Sequence, residues 1–455
     1  MTPRASHLKE PDRDNGPVNV IGIRREDKNE WERRVPVVPA DLAALHAGDG
    51  IEFVVQPSGI RVFGDDEFAA AGAAIDEDLT GAGVVMAVKE IPDELFAPAV
   101  AYMFFSHTIK GQPHSMPMLR RILDVGATLI DYERIVDSDG RRLVHFGRYA
   151  GLAGMIDALW AYGQRWRALG VDTPMLRLRQ AMRYPDLSSA LRDVEAVGQR
   201  IASQGMDPRV GPLVVGVTGY GNVASGAMDV LRVLPTVSVG TPELTADVVS
   251  RADGRSVLVT VFTESDTVEP VAGGVGSVAD YRANPGAYRS VFAQYADRLS
   301  ILVNSVYWHP ASPRLLTASD AVALQSAGAR LVLVADLSCD ILGGIEFTVR
   351  STDSGDPVYV YDASTGTATD GFAGEGIAVL AVDNLPCELP ADASVSFSAA
   401  LRGLVPVLAR TDFGRPFDSL ALPPELASAV VAHRGELTPA FSYLREALAA
   451  FERSR

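Results

Sequence analysis

Cysteine is nearly missing from this sequence: its 455 residues hold only Cys339 and Cys387, far apart and in no CxxC pattern. That argues against a disulfide framework and a cysteine-based zinc site, and it fits a reducing cytoplasm, the expected location. Histidine is scarce too, with seven residues and no HxH or HExxH spacing, so no metal site is expected. Positive charge is in deficit. The formal net charge of −16 argues against nucleic acid or an anionic membrane as the main partner. Any anionic substrate must then be gathered by a local basic cluster, because the global field repels it. No apolar run is long enough to span a bilayer, and no early stretch has the charged-then-apolar layout of a signal peptide.

What the sequence has is apolar residues, 47% of the chain, enough to bury a sizeable core, and a length that suggests two or three domains. Residues 1–17 are polar and proline-containing and read as a disordered lead-in. Beyond them, short apolar runs alternate with amphipathic stretches. Strands are expected at 19–23, 53–55, 84–88 and 102–105, and a helix opened by its proline at 39–47. A long helix over 152–169 is placed to bridge two domains, and further strands are expected at 213–218, 256–259, 300–303 and 331–334. The tail, 390–452, reads as mostly helical with a polar face. Strands alternating with helices imply parallel sheets with helical crossovers, hence an α/β chain of two Rossmann-like, doubly wound domains with a cleft between them.

Residues 214–227 read as a strand, a tight glycine turn and a helix start. Gly219 permits the turn, Gly221 lets the backbone approach a pyrophosphate, and the helix N-terminus offers free N–H groups. Ala224 fills the third glycine slot of GxGxxG, and Gly226 follows two residues later. Thr218, Gly219, Tyr220, Gly221, Asn222, Val223 and Gly226 are thus candidate dinucleotide-binding residues. A plain structural turn is the alternative. The cofactor type is poorly encoded, since the next strand ends with Glu243 as the only nearby acid and no adjacent arginine.

Polar groups also gather at expected strand ends of the first unit: Arg33 and Arg34, Lys89 and Glu90, Ser106 and His107, with Lys110 just beyond. Ligands of parallel sheets bind beyond the carboxyl ends of strands, so these groups are placed to converge. Arginine grips carboxylates in bidentate fashion, and a lysine beside other cations can act as acid or base alongside a histidine. Each alone has a bland reading as a solvated charge, a surface ion pair or a structural histidine.

The segments 23–36, 104–110, 146–156, 304–308 and 343–347 together resemble the lysine–2-oxoglutarate reductase half of aminoadipate semialdehyde synthase. The wider family holds the lysine-forming saccharopine dehydrogenases, alanine dehydrogenase and the NAD-binding part of transhydrogenase. The resemblance runs from about residue 18 onward and does not extend to the second, glutamate-releasing enzyme of the bifunctional protein. It implies condensation of the lysine ε-amine with 2-oxoglutarate and reduction of the imine by NADPH, with NADH as the alternative. By position it implies that Lys89 and His107 form the acid–base pair. Arg34, Lys110 and Arg142 would hold substrate carboxylates, Glu90 and Glu133 would tune the lysine and histidine, and Asn384 would line the cleft. Ser305, Asp336 and Asp340 would lie near the cofactor. It also implies a substrate-binding domain of residues 18–149 completed by 390–455, and a dinucleotide domain of residues 150–389.

Two other readings stand beside it. An alanine-dehydrogenase-like enzyme joining ammonia or another amine to an oxo acid would need only one or two of the three cations. An inactive dinucleotide-binding regulatory subunit would keep the glycine turn and lose the acid–base pair. In every reading the partners are small molecules, and a homo-oligomer is compatible with each.

Overall fold

The computed structural model describes residues 18–453, so the segment 1–17, expected as a disordered lead-in, lies outside the described residues. The chain divides into two compact units, one of residues up to His145 together with Pro390 onward, the other Phe146–Leu389.

The first unit is built on an eight-stranded sheet. Its strands lie in the order Glu436–Leu437, Val430–His433, Thr128–Asp131, Ala101–Phe104, Val84–Met86, Ile21–Ile23, Phe53–Val55, Ala74–Ile75. The inner strands Ile21–Ile23, Val84–Met86, Ala101–Phe104 and Thr128–Asp131 are short, mostly apolar runs with every residue buried, as in a parallel sheet covered on both faces. The first strand has the second on one side and the fourth on the other, both parallel to it. The crossovers therefore change direction between Ile21–Ile23 and Val84–Met86, and the segments leaving those two strands form the ligand-binding point of a doubly wound sheet. Helix Pro39–Asp49 starts on its proline and stops at Gly50, whose φ of 67° reverses the chain.

The tail departs from expectation. It forms helices Pro390–Leu401, Val405–Arg410 and Leu444–Arg453, but Val430–His433 is a fully buried strand lying antiparallel on Thr128–Asp131. The reason is local: two valines in a four-residue apolar run, closed by the turn at Arg434-Gly435, favour a pleated pairing over a helix turn.

The second unit has its own eight-stranded sheet, ordered Thr367–Asp370, Val358–Asp362, Ile377–Leu380, Leu333–Asp336, Ile301–Asn304, Leu213–Thr218, Val257–Phe262, Thr236–Ser238. Its core includes Val214, Leu258, Phe262, Phe292 and Leu302. The long helix, Gly147–Ala168, lies wholly within this unit instead of bridging two domains. It crosses helix Asn222–Leu231 at two glycines. A Cβ on Gly151 would fall 1.9 Å from the Val223 carbonyl oxygen, and one on Gly226 would fall 2.0 Å from that of Arg148. Among the described residues, no helix is long and apolar enough to cross a membrane.

Candidate active site

In the first unit, the switch point carries a compact charged cluster. Glu26, just past strand Ile21–Ile23, is buried, and its carboxylate accepts the backbone N–H groups of Val88 and Lys89 at 2.6 and 2.9 Å. It thereby fixes the chain that presents Lys89. Burial and the neighbouring Glu32 push the Glu26 carboxyl up to about 8, against the pull of those two amides. Arg34 and Glu32, both sealed from solvent, form a bidentate pair with Nε–Oε1 at 2.8 Å and Nη2–Oε2 at 2.5 Å. The Lys89 ammonium is held below its usual range by burial first, then by Arg34 and Lys28, with Glu32 and Glu90 opposing.

His107 lies just beyond the next strand, Ala101–Phe104, with φ at 54°, a left-handed conformation uncommon outside glycine. Its Nδ1 is 2.5 Å from Glu90 Oε1, while Lys28 Nζ is 3.6 Å from Oε2. Burial alone would raise the Glu90 carboxyl, but the hydrogen bond and charge of His107, with Lys28, bring it down to about 2. Ser106 donates to buried Asp131, which also caps the Glu133 amide at 2.8 Å.

The sequence-derived set thus divides. Lys89, Glu90, His107 and Arg34 come together. Arg142 pairs with Glu133 at 3.2 Å on the segments following the neighbouring strand Thr128–Asp131. Lys110 is exposed and, among the described residues, has no ion pair or hydrogen-bonding side-chain partner. Arg34 gives two donors to Glu32, so it is not the unencumbered carboxylate grip expected of it. Glu26 and Lys28 were missed as site residues. Only the backbone amides of Val88 and Lys89 reveal what Glu26 does, and those contacts are tertiary.

In the second unit, strand Leu213–Thr218 is entirely buried and ends at Gly219, φ 85°, whose N–H donates to the Phe262 carbonyl at 2.8 Å. Helix Asn222–Leu231 follows, ten residues long, and its N-cap is Gly221, which has no side chain to cap the first turn. A Cβ on Gly221 would meet nothing within 4 Å, so the backbone is open to a ligand there. These features fit a pyrophosphate at the turn, and the turn opens on a cavity of about 230 Å³. Tyr220 is exposed at its rim, Asn222 is exposed and Val223 half-buried at the helix start. Ser305 lines the cavity and donates to the Thr218 carbonyl, while the Thr218 hydroxyl donates to Asn304 Oδ1 at 2.9 Å.

Two of the expected cofactor contacts are corrected. Gly226 faces the Arg148 carbonyl across the helix crossing, so it serves close packing. Asp336 is fully buried, with Asn304 and Ser338 donating to Oδ1 at 2.9 and 2.7 Å and Thr348 to Oδ2 at 2.6 Å. It orients the strand ends from behind. Asp340 is half-buried and accepts the Trp308 N–H at 3.4 Å, and Asn384 takes φ 76° at the start of the turn Leu385–Glu388.

Residues 22–153 match the alanine dehydrogenase/PNT N-terminal domain. Over 96% of its length the chain is 38% identical to the alpha-aminoadipic semialdehyde synthase of Arabidopsis thaliana, and over 95% it is 35% identical to the mitochondrial protein of that name from Rattus norvegicus. This chain is similar to the alpha-aminoadipic semialdehyde synthases along nearly its whole length. It spans 42% and 48% of the length of those two proteins. A saccharopine dehydrogenase [NAD(+), L-lysine-forming] from Emericella nidulans is 26% identical over 84% of this chain and 90% of that protein. The fold is that of L-alanine dehydrogenase, at 18% identity and a TM-score of 0.59 over 94% of this chain and 99% of the other. A transhydrogenase from Sinorhizobium meliloti follows at 15% identity and a TM-score of 0.50, over 93% of this chain and all of the other.

Proposed function

We propose that the chain joins the ε-amine of L-lysine to the ketone of 2-oxoglutarate and reduces the product to saccharopine, or runs the reverse oxidation, with a nicotinamide dinucleotide. The observation that carries this reading is the Lys89–Glu90–His107 cluster at the switch point of the first unit, in a chain similar to the synthases. Condensing an amine with a ketone needs one group to take a proton from the attacking nitrogen and one to give a proton to the departing hydroxyl. Lys89, with its ammonium destabilised by burial and cationic neighbours, is poised to exchange a proton. His107, held through Nδ1 by Glu90, presents Nε2 as the second exchanging site. Carbinolamine forms, loses water to give the imine, and the imine carbon is then reduced. When bound, the dinucleotide supplies the hydride, with Gly219, Gly221 and the first turn of helix Asn222–Leu231 cradling its pyrophosphate. Glu26 and Glu32 act as positioning residues, the one holding the Lys89 backbone and the other the Arg34 fork.

One observation gives the smaller-substrate reading a place in the test. Arg34 and Arg142 are paired with Glu32 and Glu133, and Lys110 is exposed, so two of the three expected carboxylate grips already carry a carboxylate partner. Initial rates of NADH and NADPH oxidation with 2-oxoglutarate, scanning lysine, ornithine and ammonia, separate the two. Activity with lysine supports the proposal. Activity with ammonia alone replaces it by an alanine-dehydrogenase-like reaction.

A further inference from the structure

The sheet of the first unit has its third, second, first and fourth strands in the usual doubly wound succession, but the second sheet does not. Thr236–Ser238, the strand that follows the glycine-turn helix, is displaced to the edge, and Val257–Phe262 takes the place beside Leu213–Thr218. The exchange follows from the sequences. Val257–Phe262 is six residues of mostly buried, β-branched or aromatic side chains, while Thr236–Ser238 is three residues and largely exposed, suited to an edge.

In a doubly wound dinucleotide site, the residue at the end of the strand neighbouring the glycine turn meets the adenosine ribose. An acid there accepts the 2′-hydroxyl, and an arginine accommodates a 2′-phosphate. The exchange of strands moves that position from Glu243 to Glu264. Glu243 folds back to accept the Gly240 N–H at 3.2 Å, two strands away from the turn. Glu264 lies just past Phe262, whose carbonyl holds the Gly219 N–H, and it lines the same cavity as Gly219 and Gly221. Its Oε1 accepts the Tyr220 hydroxyl at 3.1 Å and Arg282 Nη2 at 2.7 Å.

We infer that Glu264 selects the unphosphorylated ribose, so that the chain binds NAD(H) in preference to NADP(H). The inference rests on the reading of this cavity as a dinucleotide site, and it runs against the NADPH that family resemblance alone implies. Burial opposes ionisation of Glu264, but Arg282, its own amide and Tyr220 hold its carboxyl below the usual range, so it carries charge at neutral pH. A 2′-phosphate would meet that charge directly. The nearest cation, Arg282, is turned onto Glu264 and the Tyr220 hydroxyl. Arg314, the one cationic residue lining the cavity among the described residues, pairs with Glu346 at 3.5 Å and donates to the Leu342 carbonyl.

The test is equilibrium binding, read by nicotinamide fluorescence on titrating wild type and Glu264→Gln with NADH and with NADPH. Wild type is expected to hold NADH about 10–100-fold tighter, the range of a charge-assisted hydrogen bond. In Glu264→Gln, NADH weakens, NADPH strengthens, and the ratio falls to within about threefold, the residue of a neutral hydrogen bond. Tighter NADPH binding by wild type, or an unchanged ratio in the variant, overturns the inference. Loss of both ligands from wild type would instead overturn the dinucleotide site itself, and the inference with it.

Discussion

Lys89 and His107 carry the sharpest residue-scale expectation. Lys89→Met and His107→Gln should each lower kcat about 10²–10⁴-fold while dinucleotide affinity stays near wild type, because both act on protons at a distance from the glycine turn in sequence and unit. Turnover near wild type in either variant removes that residue from the mechanism. Arg34 behaves differently. Arg34→Ala leaves the Glu32 carboxylate buried without its bidentate partner, so urea unfolding should show a loss of about 3–5 kcal/mol. A variant that raises KM for the oxo acid at unchanged stability would return Arg34 to the simple role of a substrate grip. Glu26 makes a pH-dependent contribution with a definite sign. Its carboxyl titrates at about 8 when folded against 4.5 when free, so its contribution is fully present below pH 4.5 and is lost as pH rises to about 8. Asp131, raised to about 6 mainly by burial, acts in the same sense, whereas Glu90, at about 2, contributes stability that is lost only as pH falls below 4.5. Stability of Glu26→Gln should therefore decline less steeply than wild type between pH 5 and pH 8, and parallel curves would contradict the assigned burial.

At the scale of elements, two glycines of one helix should separate cleanly. Gly226→Ala forces a Cβ to 2.0 Å from the Arg148 carbonyl, so thermal unfolding should report a loss of about 1–3 kcal/mol. Gly221→Ala meets nothing, so stability should hold while NADH affinity falls, because the new methyl occupies the side from which the pyrophosphate approaches. Equal effects of both substitutions on stability would show that the turn is merely structural. The strand, turn and helix around Gly219 were legible in the sequence because their signals, a β-branched run, a pair of closely spaced glycines and a helix start, are contiguous. The role of Gly226 was not, since it depends on a helix seventy-odd positions earlier crossing at that point. The exchange of Thr236–Ser238 with Val257–Phe262 was hidden for the same reason: strand content is written locally, and strand order is not. Val430–His433 shows the converse error, in which helical surroundings masked a short buried strand.

For the whole molecule, the net charge of −16 sets the long-range field, while Lys28, Arg34 and Lys89 are each compensated by nearby carboxylates. Raising ionic strength from about 10 to 150 mM shortens the screening length from about 30 to 8 Å. It should therefore raise kcat/KM for 2-oxoglutarate, and a fall would mean that the local cations steer the substrate after all. The two sheets and their parallel cores could be read from hydrophobic patterning, and the turn at Gly219 from its glycines. The ion pairs that fix Arg34, the amide clamp of Glu26 and the position of Glu264 could not, because each joins residues that only the folded topology brings together. The most direct measurement is the mass of the product formed from lysine, 2-oxoglutarate and reduced dinucleotide, by wild type and by Lys89→Met in parallel. The account predicts saccharopine from wild type, one dinucleotide oxidised per molecule formed, and almost none from the variant. Dinucleotide oxidation without a joined product, or equal yield from both proteins, would contradict it.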